Sequence, residues 1–328
     1  MSGLARQLAA ILAGGAALLA LALGVTDEPL LYFASLVLIW AIFAIGFDLV
    51  FGLTGLLSFG HAAFFGVGAY VQALLTLDMG WAFAPAFGAA LLAGAGLAAL
   101  FGMFAIRMSG VYLALTTLAL AQLVNILVEV KLRGLTGGSD GLIGVPRPEA
   151  FGLDFYDSGI YLAFLAILFT IALAAAAILR RSPFGQVLQA IRQNEVRADQ
   201  LGFDVRGSKI AVFAVSGLFA AAAGALMGGL TSFVGPDMTG WKVSGDVLIM
   251  TILGGRGTLL GPVLGVLAFE LLRDVASAWT DHWYGILGIV FIAFTLFLPE
   301  GLMGGMRTLR RAWRTAGRGR PATGGDAP

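Results

Sequence analysis

The stretch 180–209, RRSPFGQVLQAIRQNEVRADQLGFDVRGSK, interrupts a chain that otherwise reads as transmembrane helix. It carries six basic residues (Arg180, Arg181, Arg192, Arg197, Arg206, Lys209) and three acidic ones (Glu195, Asp199, Asp204). Ser182-Pro183 is a helix start, with serine at the N-cap and proline at the first helical position. Phe184, Val187, Leu188 and Ile191 then fall at i, i+3, i+4 and i+7, forming one apolar stripe. Gln186, Gln189 and Gln193 fall away from it. Asn194 can cap a second helix over 195–201, with Gly202 just beyond its end. The sequence thus describes two short amphipathic helices, joined by a tight turn and held between two membrane spans. Two readings are open. The helices lie on the headgroups, with arginines against anionic membrane lipid, or they dock a cytoplasmic protein and transmit its rigid-body motion.

The flanking chain fixes the fold class. Of 328 residues, 59% are hydrophobic and 12% charged, against about 25% charged in soluble domains. Apolar runs of about 20 residues recur, as in a polytopic membrane protein. They do not alternate apolar with polar, which excludes a membrane barrel and leaves an all-α transmembrane helical bundle. The net charge of +1 gives no sign of a nucleic-acid partner. With no cysteine, disulfides, thiol nucleophiles and cysteine metal sites are excluded. The two histidines, His61 and His282, are far apart in sequence, so no metal site is expected. Neither a nucleotide loop of the form GxxxxGK[ST] nor a catalytic constellation occurs, so neither enzyme activity nor a cofactor is expected.

Eight runs are long enough to count as full spans: 8–26, 30–50, 57–77, 83–106, 111–130, 159–179, 208–231 and 284–299. The first follows Arg6 and is read as a signal-anchor rather than a cleaved signal peptide. A further element, 243–272, is broken at Gly254-Gly255-Arg256-Gly257. Its first half, 243–253, covers only about 16 Å of a core of roughly 30 Å. It therefore reads as re-entrant or discontinuous, lining a cavity or buried in protein. Residues 131–158 form a second polar insert, rich in turn formers. A basic tail, 307–328, follows a membrane domain of 1–306. With 180–209 inside, fourteen of the twenty lysines and arginines are inside: Arg6, Arg107, the six of the loop and six of the tail. Positive charge therefore places both termini and the loop in the cytoplasm and 131–158 outside. GLLSFG (55–60) and GTLLG (257–261) both open a glycine-rich element after a glycine turn. This echo fits an internal repeat or the general likeness of glycine-rich helices.

Within the spans, His61 either lines a pathway or is structural. Gln122, Asn125 and Glu129 share one helix face. They form a pathway surface or hydrogen bonds between helices, worth about 0.6 kcal/mol each. The turn holding Gly137, Gly138, Ser139 and Asp140 either cradles a carboxylate on backbone N–H groups or shapes the outer surface. Arg256, at membrane depth, costs roughly 2.5–3.5 kcal/mol and needs a partner or water, which makes it a gate or packing candidate. Asp48 closes its span near the cytoplasmic face and reads as solvated.

Several blocks together carry a resemblance: LTGLLSFGHAAFFGVGAY (53–70), GVYLALTTLALAQL (110–123), LTGGSDGLIGVPRP (135–148), the 180–209 loop, ILGGRGTLLGPVLG (252–265) and LPEGL (298–302). In this order they resemble the LivM-type permeases of branched-chain amino-acid ATP-binding-cassette (ABC) importers. The resemblance implies one half of a translocation pathway in a bacterial inner membrane. It also implies a LivH-like second permease, two cytoplasmic ABC ATPase subunits that hydrolyse ATP on separate chains, and a periplasmic substrate-binding protein. The loop would couple to the ATPase through Phe184, Val187, Leu188, Ile191, Glu195, Ala198 and Gly202. Of the EAA-type motif, Ala198 and Gly202 match, while Val196 and Arg197 replace the first two positions and Glu195 lies one early. The alternatives are a urea or short-amide permease of the same family, or a stand-alone ion-coupled carrier or channel. For a carrier, Arg256 and Glu270 are the chief ionisable candidates.

Overall fold

The computed structural model describes residues 2–105, 107–148, 155–280, 282–298 and 301–305. Its helices are α1 (Ser2–Gly24), α2 (Glu28–Thr54), α3 (His61–Leu77), α4 (Phe83–Ala105), α5 (Val111–Ile126), α6 (Arg133–Thr136), α7 (Ser158–Arg181), α8 (Pro183–Gln193), α9 (Glu195–Gln200), α10 (Val205–Thr231), α11 (Trp241–Gly254), α12 (Gly261–Trp279) and α13 (Trp283–Phe297). Each of the eight expected runs folds as helix. Among the described residues, six helices are long and apolar enough to cross a membrane: α1, α2, α4, α7, α10, and α5 with its one-turn π extension Leu127–Lys131. α3 and α13 are shorter, with 17 and 15 residues. The basic tail, 307–328, lies outside the described residues.

Helix α2 is the axis of the bundle. It is apolar all round and buried along nearly its whole length, as expected of a helix with neighbours on every side. α10 packs against α2, α3 and α4, and α1 packs along α7. At the α3–α10 crossing a Cβ on Gly224 would overlap the carbonyl of Phe65, so the two backbones are in contact. Small residues permit this approach, which is where membrane helices gain their packing energy.

At two helix starts the difference from the hydrophobic run has a clear local reason. α3 begins at His61 rather than 57. Gly55 ends α2 in the left-handed region (φ 76°), and residues 55–60 run on as a non-helical segment. α10 begins at Val205 rather than 208. The Asp204 carboxylate accepts the Gly207 N–H at 2.9 Å and caps the helix.

The broken element is a hairpin of α11 and α12, linked by 255–260. The arms touch closely: a Cβ on Gly265 would overlap the carbonyl of Met250. α11 has 14 residues, about 21 Å, and its tip reaches the bundle end that carries α8 and α9, where Gly257 meets Asp48. The element therefore returns from the end of the bundle, not from its middle. At the opposite end two short strands pair antiparallel, β1 (Leu142–Ile143) with β2 (Phe233–Val234). They tie the 131–148 insert to the connection between α10 and α11.

Candidate functional site

The 180–209 loop folds as its caps dictate. Ser182 Oγ accepts the Gly185 N–H at 3.2 Å and Asn194 Oδ1 accepts the Arg197 N–H at 2.9 Å. Gly202 stands at φ 85°, and the Phe203 N–H returns to the Ala198 carbonyl at 3.2 Å. This is the six-to-one bond of a glycine-terminated helix.

α8 packs against α2, α7 and α10. Of its stripe, Leu188 and Ile191 are buried, and Phe184 and Val187 are partly buried against the same core. The stripe is thus a seat on the bundle. Ala198 is buried, and Glu195 pairs with the buried Lys209 at 2.6 Å, fastening α9 to α10. The apolar side chains turned outward are others: Val196 (67% exposed), Leu201 (69%) and Phe203 (40%). Stripe counting misses them because they follow no helical period. The signal was their presence in a segment otherwise charged.

Beneath the seat lies Asp48. The expectation of a solvated carboxylate is wrong: Asp48 is fully buried. One carboxylate oxygen pairs with Arg180 in the last turn of α7. The other accepts the Gly257 N–H at 2.8 Å. Arg192 of α8 donates to the Gly52 carbonyl beside it. The side chain fits because a Cβ at Gly52, one turn on, would occupy its space. Arg256 is not buried within the bundle. It is exposed at the hairpin tip, its guanidinium 5.5 Å from the centre of the Phe51 ring, a cation–π distance. Nor does it meet Glu270, which is buried in α12 with its carboxylate 3.5 Å from Arg273.

At the opposite end, α5 and the start of α11 enclose a polar cavity of about 530 Å³. Its lining includes Gln122, Asn125, Glu129, Asp237, Lys242 and Asp246. Asn125 Nδ2 donates to the Pro236 carbonyl at 2.9 Å and to Thr239 Oγ1 at 2.7 Å. Gln122 Nε2 donates to Asn125 Oδ1 at 3.4 Å. The polar face of α5 thus holds the α11 entry and also lines a cavity.

His61 does not join this cavity. It is fully buried among Phe47, Phe64 and Phe213. Ser216 Oγ gives its proton to the Gly46 carbonyl at 2.7 Å, so His61 Nε2, 2.8 Å away, is the donor to Ser216. His61 Nδ1 then accepts from Ser58 Oγ at 3.1 Å. Nε2 thereby joins α3 to α10, and Nδ1 is held by the segment that precedes α3. The glycine turn is also self-satisfied. The N–H groups of Gly137, Gly138, Asp140 and Gly141 go to Arg133, Thr136, Gly137 and Gly138 oxygens within it. Ser139 and Asp140 of this turn are exposed on the protein surface.

Residues 30–295 match the family model of the branched-chain amino acid transport system permease component. The chain is 30% identical, over 293 residues, to the high-affinity branched-chain amino acid transport system permease protein LivM of Escherichia coli, covering 82% of this chain and 69% of that one. The Salmonella typhimurium LivM is 31% identical over the same shares. The Escherichia coli LivH permease is 23% identical over 286 residues, covering 81% of this chain and 91% of that one. No solved structure matches the chain. An apolar multi-helix bundle, a capped polar loop seated at one end and a match over most of its length together place this chain in the branched-chain amino-acid transport permease family, as a LivM-type multi-pass membrane permease.

Proposed function

We propose that this chain forms half of the translocation pathway of an ABC importer for branched-chain amino acids, with α9 as the docking point for a cytoplasmic ATPase. The carrying observation is the outward display of Val196 on α9 and of Leu201 and Phe203 on the glycine turn that ends it, a unit fastened by a cap and an ion pair. Three apolar side chains on a charged surface are the composition of an interface centre. The bundle end that bears them is rich in arginine, which supports a cytoplasmic assignment in a bacterial inner membrane. The opposite end, with β1–β2, Ser139 and Asp140, then faces the periplasm and a substrate-binding protein. The cavity at Gln122 and Asn125 is the outer mouth of the pathway, completed by a LivH-like second permease. The names of the LivM and LivH relatives support the substrate class.

The test is reconstitution of the chain with its second permease, ATPase and binding protein in vesicles. The expected result is ATP-driven uptake of labelled leucine that unlabelled isoleucine and valine compete away. Competition by urea or short amides alone would reassign the substrate. Uptake by the lone chain, driven by an ion gradient, would overturn the importer reading.

A further inference from the structure

We propose that Asp48 and Arg192 form the joint through which movement of the docking loop reaches the α11–α12 hairpin. The inference rests on the ATPase-docking reading of α9. Three elements meet at one buried carboxylate. Asp48 sits near the end of α2, Arg180 in the last turn of α7 just before the α8 cap, and Gly257 at the hairpin tip. Arg192, in the last turn of α8, covers the same spot. Its guanidinium donates to the Gly52 carbonyl. Its Nη1 lies 3.1 Å from where a Cβ on Gly257 would stand, and its Cγ 3.5 Å from where one on Gly55 would stand. The two helix-breaking segments, 55–60 and 255–260, are thus both held under one arginine of the loop.

This arrangement leaves the loop little independence. α8 is seated on the bundle, so a tilt of the loop moves Arg180 and Arg192 together. It then carries the hairpin tip along or breaks its bond to Asp48. α11 is an unbroken helix from Gly254, three residues before Gly257, back to Trp241, and Trp241 lines the polar cavity at the opposite end. A displacement at Gly257 passes through the short link 255–256 into α11 and along that helix to the cavity wall. Asp48 and Arg192 are positioning residues: they touch no substrate and act through the hairpin.

The test uses the full complex with both permeases, the ATPases and the binding protein, and reads uptake per ATP hydrolysed. Asp48→Asn keeps an acceptor for Gly257 and removes the charge that holds Arg180. It is expected to leave the ATPase bound and hydrolysing, while uptake per ATP falls about tenfold. Arg192→Gln, at an exposed side chain that does not threaten folding, is expected to lower the ratio about threefold, with Arg192→Lys restoring part of it. An unchanged ratio with the ATPase still bound would overturn the joint and leave the docking reading intact. So would a loss of uptake matched by an equal loss of bound ATPase. If Asp48→Asn fails to assemble, the two Arg192 variants decide. A wild-type permease that captures no ATPase would overturn the docking reading and the joint with it.

Discussion

α8 and α9 follow one another in the chain, each short and each started by a side-chain cap, yet they place their apolar residues oppositely. α8 turns Leu188 and Ile191 into the bundle. α9 turns Val196 outward, and its glycine cap sets Leu201 and Phe203 out beside it. Only α8 is long enough, at 11 residues, to lay a full stripe along the groove between α2 and α7. α9 has six residues and is held instead by Ala198, the Gly202 turn and the Glu195–Lys209 pair. Periodicity identifies an apolar face, and its neighbours decide whether that face supports the protein or meets another one.

Four substitutions would break or sharpen this contrast. The largest effect is expected for Leu188→Ala, which removes a fully buried side chain from the α8 seat. It should cost about 2–5 kcal/mol, read as a lower melting temperature of the purified permease; a surface-like cost below 0.5 kcal/mol would refute the seat. Leu201→Asp should leave that melting temperature unchanged and weaken ATPase capture by about 2 kcal/mol, or some thirtyfold. Equal binding in a pull-down titration would show that α9 is no docking face. Gly202→Val forces a branched residue to a left-handed φ, at about 1–3 kcal/mol, and should uncouple uptake from ATP hydrolysis with the protein still in the membrane. Normal ATP-driven uptake would show that the glycine turn is dispensable. Asn194→Ala removes one cap bond and should cost about 1 kcal/mol, seen as faster hydrogen exchange at Arg197 N–H and nowhere in α8.

The comparison also explains which features were legible beforehand. Caps depend on residues within four positions of each other, so Ser182, Asn194 and Gly202 were readable from sequence. The break in 243–272 was readable for the same reason, since clustered glycines announce it locally. Asp48 was not: its partners Arg180 and Gly257 lie 132 and 209 positions away, and no local pattern records burial. The surroundings of His61 and Arg256 were not legible for similar reasons. A histidine at a helix start looks alike whether it faces a pathway or a serine 155 positions later. An arginine in an apolar element looks deep until the hairpin is seen to reach the end of the bundle. The β1–β2 pairing rests on two residues per strand, too few for any alternation to show.

The long-range partners of Asp48 also set an order of events during synthesis. At roughly 5–20 residues per second, the ribosome makes Arg180 about ten seconds after Asp48, and Gly257 some seconds later still. Through that interval α2 must wait in the membrane or its translocon with an acid whose counter-ion does not yet exist. The bond from Gly257 to Asp48 therefore closes late, and its closure marks a permease whose hairpin has already arrived.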